Sequence, residues 1–197
     1  MMRKLFLIFI LISFSTLGAN KKLARISPGN IYPQVKFETS MGVIIVELDR
    51  LKAPITVENF LQHVAKKEYD NTVFHRVIAD FVVQGGGYDT DYIARKVGDD
   101  IVNESGNGLK NEKGTIAMAR ETNPHTATRQ FFFNAADNKS LDPGRNWGYT
   151  VFGAIVEGEE VLDKMAAVET DFVEETNWQD APKTPIVLIK ATLLPAQ

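Results

Sequence analysis

A series of short apolar runs, separated by turn-forming residues, restricts the fold of this chain more than any other feature. The runs cover residues 72–78, 81–84, 115–119, 130–134 and 151–156. Segments of this length, bounded by Gly, Pro, Asn and Asp, are typical of β-strands and are shorter than most helices. Because many short strands expose their edges unless the sheet closes on itself, the pattern predicts a β-sandwich or a β-barrel.

A hairpin precedes these runs, and two helices flank them. Residues 35–48 contain an alternating stretch, a turn and a β-branched stretch, which predict two paired strands. Pro54 suits the first turn of a helix, and the apolar residues after it are spaced for one buried helical face: Val57, Phe60, Leu61, Val64 and Ala65. Residues 161–168 predict a second short helix, and residues 186–194 predict a final strand. The sum is one mainly β domain with two helices.

Composition excludes several classes of protein. The 197 residues contain no cysteine, which excludes disulfides, thiolate metal sites and a cysteine nucleophile. The net charge of −3 offers no basic excess for a phosphate backbone, so we expect no nucleic-acid partner. The three histidines, His63, His75 and His125, lack the spacing of paired metal ligands, and no metal site is predicted. Residues 85–112 are polar and glycine-rich, and we expect them to form a functional loop.

The N-terminus predicts an exported protein. Residues 1–19 have a positive start, an apolar stretch and small final residues, as in a secretory signal peptide cleaved near Ala19. The alternative is an uncleaved membrane anchor, but about 13 apolar residues at ~1.5 Å each cover only ~20 Å of a ~30 Å hydrocarbon core. Cleavage removes Arg3 and Lys4 and no acid, so the net charge changes from −3 to −5. We therefore expect a periplasmic or secreted protein without stable membrane insertion, which begins with an extended arm over residues 20–34.

Two polar side chains, Arg76 and Gln84, interrupt the first two apolar runs. Alternation along the first run places Phe74 and Ile78 on the same face as Arg76. A charged arginine among aromatic residues is unfavourable unless it is paired or lines a pocket. The residues alone leave two interpretations open: a functional arginine in a pocket, or a barrel arginine bonded to loop carbonyls.

Three consecutive phenylalanines, residues 131–133, lie in the fourth run. If this run is a strand, Phe132 shares its face with Gln130 and Asn134, which makes it an aromatic residue on a polar face. Composition alone favours a core position for such a triplet. Core and binding surface both remain open at this point.

Taken together, these segments resemble the cyclophilin family of peptidyl-prolyl cis-trans isomerases over about residues 35–194. The motifs that carry the resemblance are FHRVI at 74–78, FVVQGG at 81–86, GTIAMA at 114–119, QFF at 130–132 and VFG at 151–153. The bacterial exported branch is the most similar, given GTIAMAR, FFNAADN and GYTVFG beside the signal peptide. The resemblance implies a closed eight-stranded antiparallel barrel capped by two α-helices, over residues 35–195, with the substrate across the outside of the sheet.

The resemblance also implies roles for individual residues. Arg76 corresponds to the catalytic arginine, Gln84 to the glutamine that holds it and contacts the peptide, and Phe81 to an aromatic residue beside them. A proline pocket and an adjoining peptide groove are implied at Val82, Met118, Ala119, Arg120, Gln130, Phe132, Leu141 and Tyr149. Among these, Val82, Arg120 and Tyr149 depart from the commonest eukaryotic pattern.

The implied activity is isomerisation of X-Pro bonds in proline-containing polypeptides, and unfolded or folding exported proteins are the expected partners. No cofactor or nucleophile is expected, because rotation about an amide breaks no bond. We expect the protein to act as a monomer. The alternative is a non-catalytic module that binds proline segments as a chaperone or in assembly. Arg76 distinguishes the two, since binding alone does not require a permanent cation in the pocket.

Overall fold

The structure is a computed structural model that describes residues 25–174 and 177–196. Within these ranges there are eleven β-strands and two α-helices, with short 3-10 turns at Ser105–Asn107 and Lys139–Leu141. The elements are β1 Gln34–Thr39, β2 Gly42–Leu48, α1 Pro54–Ala65, β3 Thr72–Phe74, β4 Arg76–Ile78, β5 Val82–Gly85, β6 Thr115–Met118, β7 Phe131–Asn134, β8 Val151–Glu157, α2 Glu159–Ala166, β9 Thr170–Val173, β10 Trp178–Pro182 and β11 Ile186–Leu193. The predicted signal peptide, residues 1–19, lies outside the described residues. None of the described helices has the length and apolar character needed to cross a membrane.

Nine of the described strands form one antiparallel sheet whose two edges are neighbours in the chain. The order across the sheet is β3-β11-β1-β2-β8-β6-β7-β5-β4. Only His75 separates the edge strands β3 and β4, so the polypeptide itself joins the two edges into a nearly closed barrel. The predicted barrel with two helices is confirmed, with one difference. The single strand predicted over residues 72–78 is two strands, so the described sheet has nine strands where eight were expected.

Aromatic side chains fill the barrel interior. The ring centroid of Phe37 on β1 lies 5.7 Å from Phe131 and 5.6 Å from Phe133, both on β7. Phe60 of α1 packs on the same group, 6.1 Å from Phe37. All four side chains are fully buried, and apolar burial at about 25 cal/mol per Å² is the main stabilising contribution of such a core. The core interpretation is therefore confirmed for two of the three consecutive phenylalanines.

Helix α1 begins at Pro54, as predicted, but one predicted buried position is wrong. The buried residues of this helix are Thr56, Val57, Phe60, Leu61, His63 and Val64. Ala65 is exposed. It lies about 100° around the helix from Val64, which takes it beyond the edge of the buried face.

Helix α2 begins and ends two residues earlier than the predicted span of 161–168. Gly158 precedes it with a φ of +89°, and a Cβ atom there would lie 2.2 Å from the carbonyl oxygen of Val43. Glycine is required at this position, because other residues meet both a steric clash and an unfavourable backbone conformation. Val168 lies just after the helix rather than within it, and it packs against the interior core.

A second, two-stranded sheet was not predicted. β9 and β10 pair antiparallel with a register shift between Trp178 and Ala181, and we call this pair the β9–β10 ribbon. Asn177 and Asp180 have φ angles of +54° and +61°, a conformation that Asn and Asp adopt more readily than most residues. The ribbon packs against β4. Its strands are half-exposed and carry little apolar periodicity, which explains why the sequence does not reveal them.

One interpretation of Arg76 was a barrel arginine bonded to loop carbonyls. That description fits Arg129 instead. This arginine is 2% exposed, and its guanidinium donates hydrogen bonds to the backbone carbonyls of Gly86, Lys96 and Glu68. Gly86 and Lys96 belong to the glycine-rich loop. Arg129 therefore ties that loop to the barrel, and the five N–H groups of a guanidinium suit this task.

His75, which separates β3 from β4, is buried in an aromatic cluster. Its ring lies 4.8 Å from Tyr88 and 5.2 Å from Trp178, and 7% of the residue is exposed. Burial, with a smaller contribution from the charge of Arg76, lowers the pKa of His75 from 6.5 to about 4. The folded chain therefore keeps this imidazole neutral at pH 5, where the unfolded chain protonates it.

We predict that acid destabilises the fold through His75. As the pH falls below 6.5, the unfolded state binds a proton that the folded state does not, so stability is lost progressively down to about pH 4. Between pH 7 and pH 5 the wild type should lose about 2 kcal/mol more than His75→Phe, which keeps a ring but cannot titrate. Urea unfolding of both proteins at both pH values measures the difference. The pKa of His63 is also lowered by burial, but its effect is common to both proteins. Equal losses would show that His75 is not responsible.

Candidate functional site

One row of side chains crosses the outer face of the barrel. The Cα atoms of Arg76, Gln84, Phe132 and Ala117 are successive cross-strand partners on β4, β5, β7 and β6. Directly opposite residues on neighbouring strands point to the same face of a sheet. Because the phenylalanines on either side of Phe132 belong to the interior core, this row points outward.

A cavity of about 280 Å³ lies over this row. Its wall combines two cations, an amide and several apolar or aromatic side chains: Arg76, Phe81, Val82, Gln84, Ala119, Arg120, Phe132, Leu141 and Tyr149. A small buried cluster supports it from beneath and is separate from the interior core; its members are Val82, Ala117, Phe132 and Val151. The structure therefore brings nine of the eleven predicted site residues to one cavity.

Met118, which was assigned to the proline pocket, belongs to the interior instead. It is 2% exposed and packs in the interior core, and its cross-strand partner is Phe131, another interior residue. Alternation along β6 explains the difference, because Ala117 lies beneath the outer cavity and the next residue must face inward. The assignment of Met118 to the pocket is corrected accordingly.

Phe74, which was predicted to share a face with Arg76, also lies inside the barrel. It is 1% exposed, and its ring centroid is 6.0 Å from Phe131. The interruption between β3 and β4 resets the alternation, so that Phe74 and Val77 both join the interior core. Arg76 consequently reaches the outer cavity without an aromatic neighbour from β3.

A groove of about 360 Å³ continues from the cavity past Gln84, and Gln130 lines it. Ala119 and Arg120 border both the cavity and the groove. Gln84 Nε2 donates a hydrogen bond of 3.1 Å to Gln130 Oε1. Gln84 was expected to hold Arg76, and the two are cross-strand partners, but the amide contact is with Gln130. All the predicted site residues except Met118 therefore border the cavity or the groove.

The Arg76 guanidinium lies between the cavity and the β9–β10 ribbon. Its Nε atom is 3.9 Å from Oδ2 of Asp180, and the two side chains are 39% and 38% exposed. Asp180 was not among the predicted site residues. It lies far from Arg76 in the sequence, on a ribbon that the sequence does not reveal.

The Arg120 guanidinium is engaged by the chain itself. Its central carbon lies 4.5 Å from the centre of the Tyr149 ring, and its terminal nitrogens donate to the carbonyl oxygens of Trp147 and Glu121, both at 2.8 Å. Tyr149 in turn packs edge-on against Phe132, with ring centroids 5.7 Å apart. Arg120 therefore fixes one wall of the cavity through Tyr149.

Three buried asparagines fix the backbone at Phe81. Asn134 Nδ2 donates to Asn111 Oδ1 at 3.2 Å, and Asn138 Nδ2 donates to Asn134 Oδ1 at 2.8 Å. Asn138 Nδ2 also donates to the carbonyl oxygen of Phe81 at 2.8 Å. Asn111 and Asn138 were not predicted to contribute to the site, because single amides in polar segments form no distinctive pattern. Buried and fully paired amides of this kind rigidify a site.

The side chains that line the cavity determine which chemistry the site can perform. In residues 25–174 and 177–196, no three His, Asp or Glu side chains are grouped to hold a metal ion. His125 is engaged in loop packing, with its Nδ1 accepting from the N–H of Asn103 at 3.1 Å and its ring 4.9 Å from Trp147. The described side chains that line the cavity supply two permanent cations, Arg76 and Arg120, together with the Gln84 amide, the Tyr149 hydroxyl and apolar groups.

The resemblance implies that a proline-containing peptide binds at this cavity, and on that expectation we predict that Arg120→Gln weakens its binding while the barrel stays folded. Loss of a cation–π contact of about 0.5–1 kcal/mol and of carbonyl hydrogen bonds frees Tyr149, which should raise the dissociation constant about 3- to 10-fold. An NMR titration measures it. Arg145→Gln is the matched control, because Arg145 is exposed on a neighbouring loop. If the two variants bind alike, Arg120 does not shape the cavity.

The sequence matches a known family over the whole barrel. Residues 34–193 match the family model for cyclophilin type peptidyl-prolyl cis-trans isomerase/CLD. The peptidyl-prolyl cis-trans isomerase cyp18 of Streptomyces antibioticus is 44% identical over 164 residues, which is 81% of this chain and 98% of the relative. Isomerase A of Dickeya dadantii is 45% identical over 161 residues, with 81% and 84% covered. Isomerase B of Escherichia coli is 42% identical over 163 residues, with 81% and 98% covered.

Solved structures share the fold at lower sequence identity. The crystal structure of a cyclophilin type isomerase from Cryptosporidium parvum has a TM-score of 0.67 at 24% identity, covering 84% of this chain and 99% of that chain. The cyclophilin AquaCyp293 from Hirschia baltica has a TM-score of 0.66 at 20% identity, with 83% and 74% covered. These structures support the barrel fold, and the sequence matches establish the family. The chain belongs to the cyclophilin-type peptidyl-prolyl cis-trans isomerases.

Proposed function

We propose that this chain isomerises X-Pro bonds in exported proteins as they fold, acting as a monomer. In this proposal the Arg76 cation stabilises the twisted amide, and the outer cavity holds the proline ring. The observation that carries the proposal is the cross-strand row that brings Arg76 and Gln84 beside Phe132 at a single cavity. Family membership supplies the class of reaction.

The cavity has the character that a proline ring requires. Phe132 and Val82 form an apolar floor that is almost fully buried, at 4% and 3% exposure. A pyrrolidine ring placed there loses its contact with water, which favours binding in proportion to the apolar area covered. A structure of the Cryptosporidium parvum isomerase, 25% identical with a TM-score of 0.65, was determined in the presence of the dipeptide Ala-Pro. That dipeptide has the chemistry that this cavity suits.

The barrier to be lowered is electronic. An X-Pro amide is planar by resonance, and rotation costs about 18–20 kcal/mol, so isomerisation without a catalyst takes tens to hundreds of seconds. In the twisted state the prolyl nitrogen loses conjugation and regains a lone pair. A donor directed at this nitrogen binds the twisted state better than either planar isomer, and such differential binding lowers the barrier.

Arg76 is the donor in this mechanism. A guanidinium remains protonated at any working pH and offers N–H groups in a fixed plane. It lies at the edge of the cavity that receives the ring, so a hydrogen-bond donor and an apolar surface contact the same residue of the substrate. The prolyl ring stays fixed while the chain on its N-terminal side rotates.

Gln84 and the groove position the polypeptide. The hydrogen bond from Gln84 to Gln130 fixes both amides along the wall between the cavity and the groove. In the proposal these amides, together with the backbone at Ala119 and Arg120, contact the peptide beyond the proline. An extended peptide backbone needs such partners because its own N–H and C=O groups lose water when it binds.

A non-catalytic proline-binding module is the second candidate function. The apolar cavity alone supports it, because an aromatic pocket can bind proline without changing the barrier to rotation. Arg76 favours the enzyme, since a half-exposed cation contributes little to holding an apolar ring but acts directly on a twisted amide.

We predict that Arg76→Ala lowers turnover of a short proline peptide by roughly 10²- to 10³-fold, the effect of removing one preorganised donor. Peptide binding should change less, because the apolar floor is untouched. Arg76→Lys keeps the charge but loses the planar fork, so it should recover only part of the rate. A protease-coupled isomerisation assay measures turnover. Wild-type turnover in folded Arg76→Ala would contradict the mechanism and favour the binding module.

Phe132→Ala is the complementary variant. It leaves an aromatic-sized void in the cavity floor, so we expect weaker peptide binding together with a lower rate at limiting substrate. Circular dichroism of each variant establishes that the barrel is intact before rates are compared. A Phe132→Ala protein that binds the peptide as tightly as wild type would contradict the assignment of the cavity.

We also propose that the chain acts in the periplasm or after secretion. The support is the sequence of residues 1–19, with its positive start and an apolar stretch too short to span a membrane. The predicted mature chain begins near Asn20. N-terminal sequencing of the protein recovered from the exported fraction tests this, and recovery of intact Met1 from a membrane fraction would contradict it.

A further inference from the structure

Arg76 separates two cavities of the described structure. On one side lies the proline cavity, and on the other a second cavity of about 300 Å³ is bounded by the β9–β10 ribbon. Asp180 lines the second cavity, and its Oδ2 atom lies 3.9 Å from Nε of Arg76. Nε is the guanidinium nitrogen nearest the aliphatic part of the side chain. A carboxylate beside Nε therefore attracts the guanidinium toward the ribbon.

The backbone of the ribbon is shaped to present Asp180. The register shift between Trp178 and Ala181 leaves two residues of β10 outside the regular ladder, and Asp180 takes a φ of +61°. Irregularities of this kind re-aim a side chain and occur beside active sites. Trp178, on the same strand, packs on His75 with ring centroids 5.2 Å apart. The ribbon is therefore anchored next to the strand that carries Arg76.

The ion pair is a poor candidate for a stabilising interaction. Both side chains are more than one-third exposed, and exposed pairs contribute little to the stability of a fold. An unrestrained arginine, however, populates many rotamers, and only some of them direct its N–H groups at the cavity. Restricting those rotamers changes the rate of a reaction that needs one orientation, even where it changes stability very little.

We propose that Asp180 is a positioning residue, which holds the Arg76 guanidinium through its Nε side so that the terminal nitrogens face the proline cavity. The proposal rests on the catalytic role proposed for Arg76. The negative charge of Asp180 also partly offsets the electric field of the Arg76 cation, and this effect opposes catalysis. Because arginine stays protonated beside a carboxylate, the full donor remains and orientation outweighs the reduced field.

The test uses two substitutions of Asp180 in the full mature chain. Asp180→Asn keeps a residue that tolerates positive φ but removes the charge, and Asp180→Gly removes the charge while relieving the backbone. Both should lower kcat by about 5- to 20-fold, the scale of a modest misorientation, with KM within about twofold of wild type. Asp171→Asn is the control, because Asp171 is exposed on the neighbouring strand of the same ribbon. It should match wild type.

A double-mutant cycle and an NMR signal then separate positioning from structure. On the Arg76→Ala background, Asp180→Asn should change kcat by less than about twofold, because there is no guanidinium left to orient. The Nε–H resonance of Arg76 should shift and exchange faster with water in Asp180→Asn than in Asp171→Asn. This signal does not depend on activity, so it decides the positioning even if the proposed function fails.

Several results would overturn the positioning role. Faster turnover in Asp180→Asn would mean that the carboxylate acts only by weakening the cation. Wild-type kcat in Asp180→Asn, with a loss confined to Asp180→Gly, would assign the effect to the backbone. Equal effects of Asp180→Asn with and without Arg76, or an unchanged Nε–H resonance, would show that the two side chains are not coupled.

Discussion

The interruption of the strand at His75 is the constraint on which the rest of the structure depends. It lets β3 and β4 serve as the two edges of one sheet, so the chain closes the barrel without an added element. It also resets the side-chain alternation, which puts Phe74 inside and leaves Arg76 on the outer cavity. An aromatic core and a surface cation thus become near neighbours in the sequence without competing for the same space.

Two arginines of the barrel have opposite surroundings. Arg129 is buried, and its guanidinium is engaged by carbonyls of the chain. Arg76 is half-exposed and faces a cavity, with a carboxylate on the far side. Both guanidinium groups carry the same charge, so the two arginines differ in how many N–H groups remain available to bind another molecule. That number follows from tertiary placement, which explains why neither arginine could be assigned from composition.

The sequence predicts most reliably what depends on alternation within one continuous strand. Alternation along β7 separates Phe132 from Phe131 and Phe133, although the residues alone left open which of the two faces is the core. Met118 was assigned to the wrong face of β6. The pairing of β6 with β7 and β8 decides which of its residues face inward, and the four residues of the strand do not show this by themselves. Asp180 was not found for a different reason. Its contact with Arg76 joins distant parts of the chain through an irregular ribbon, and no local pattern encodes such a contact.

The alternation of inward and outward side chains along β7 has a consequence for how the sequence of such a protein can change in evolution. Phe131 and Phe133 belong to the packed interior, and Phe132 between them lies at the outer cavity. Point substitutions can therefore retune what the outer surface accepts without disturbing the packing a few ångströms beneath it. A one-residue insertion or deletion in this strand would exchange the two roles at once. Sequence change here should accumulate by replacement, while changes in length are confined to the loops.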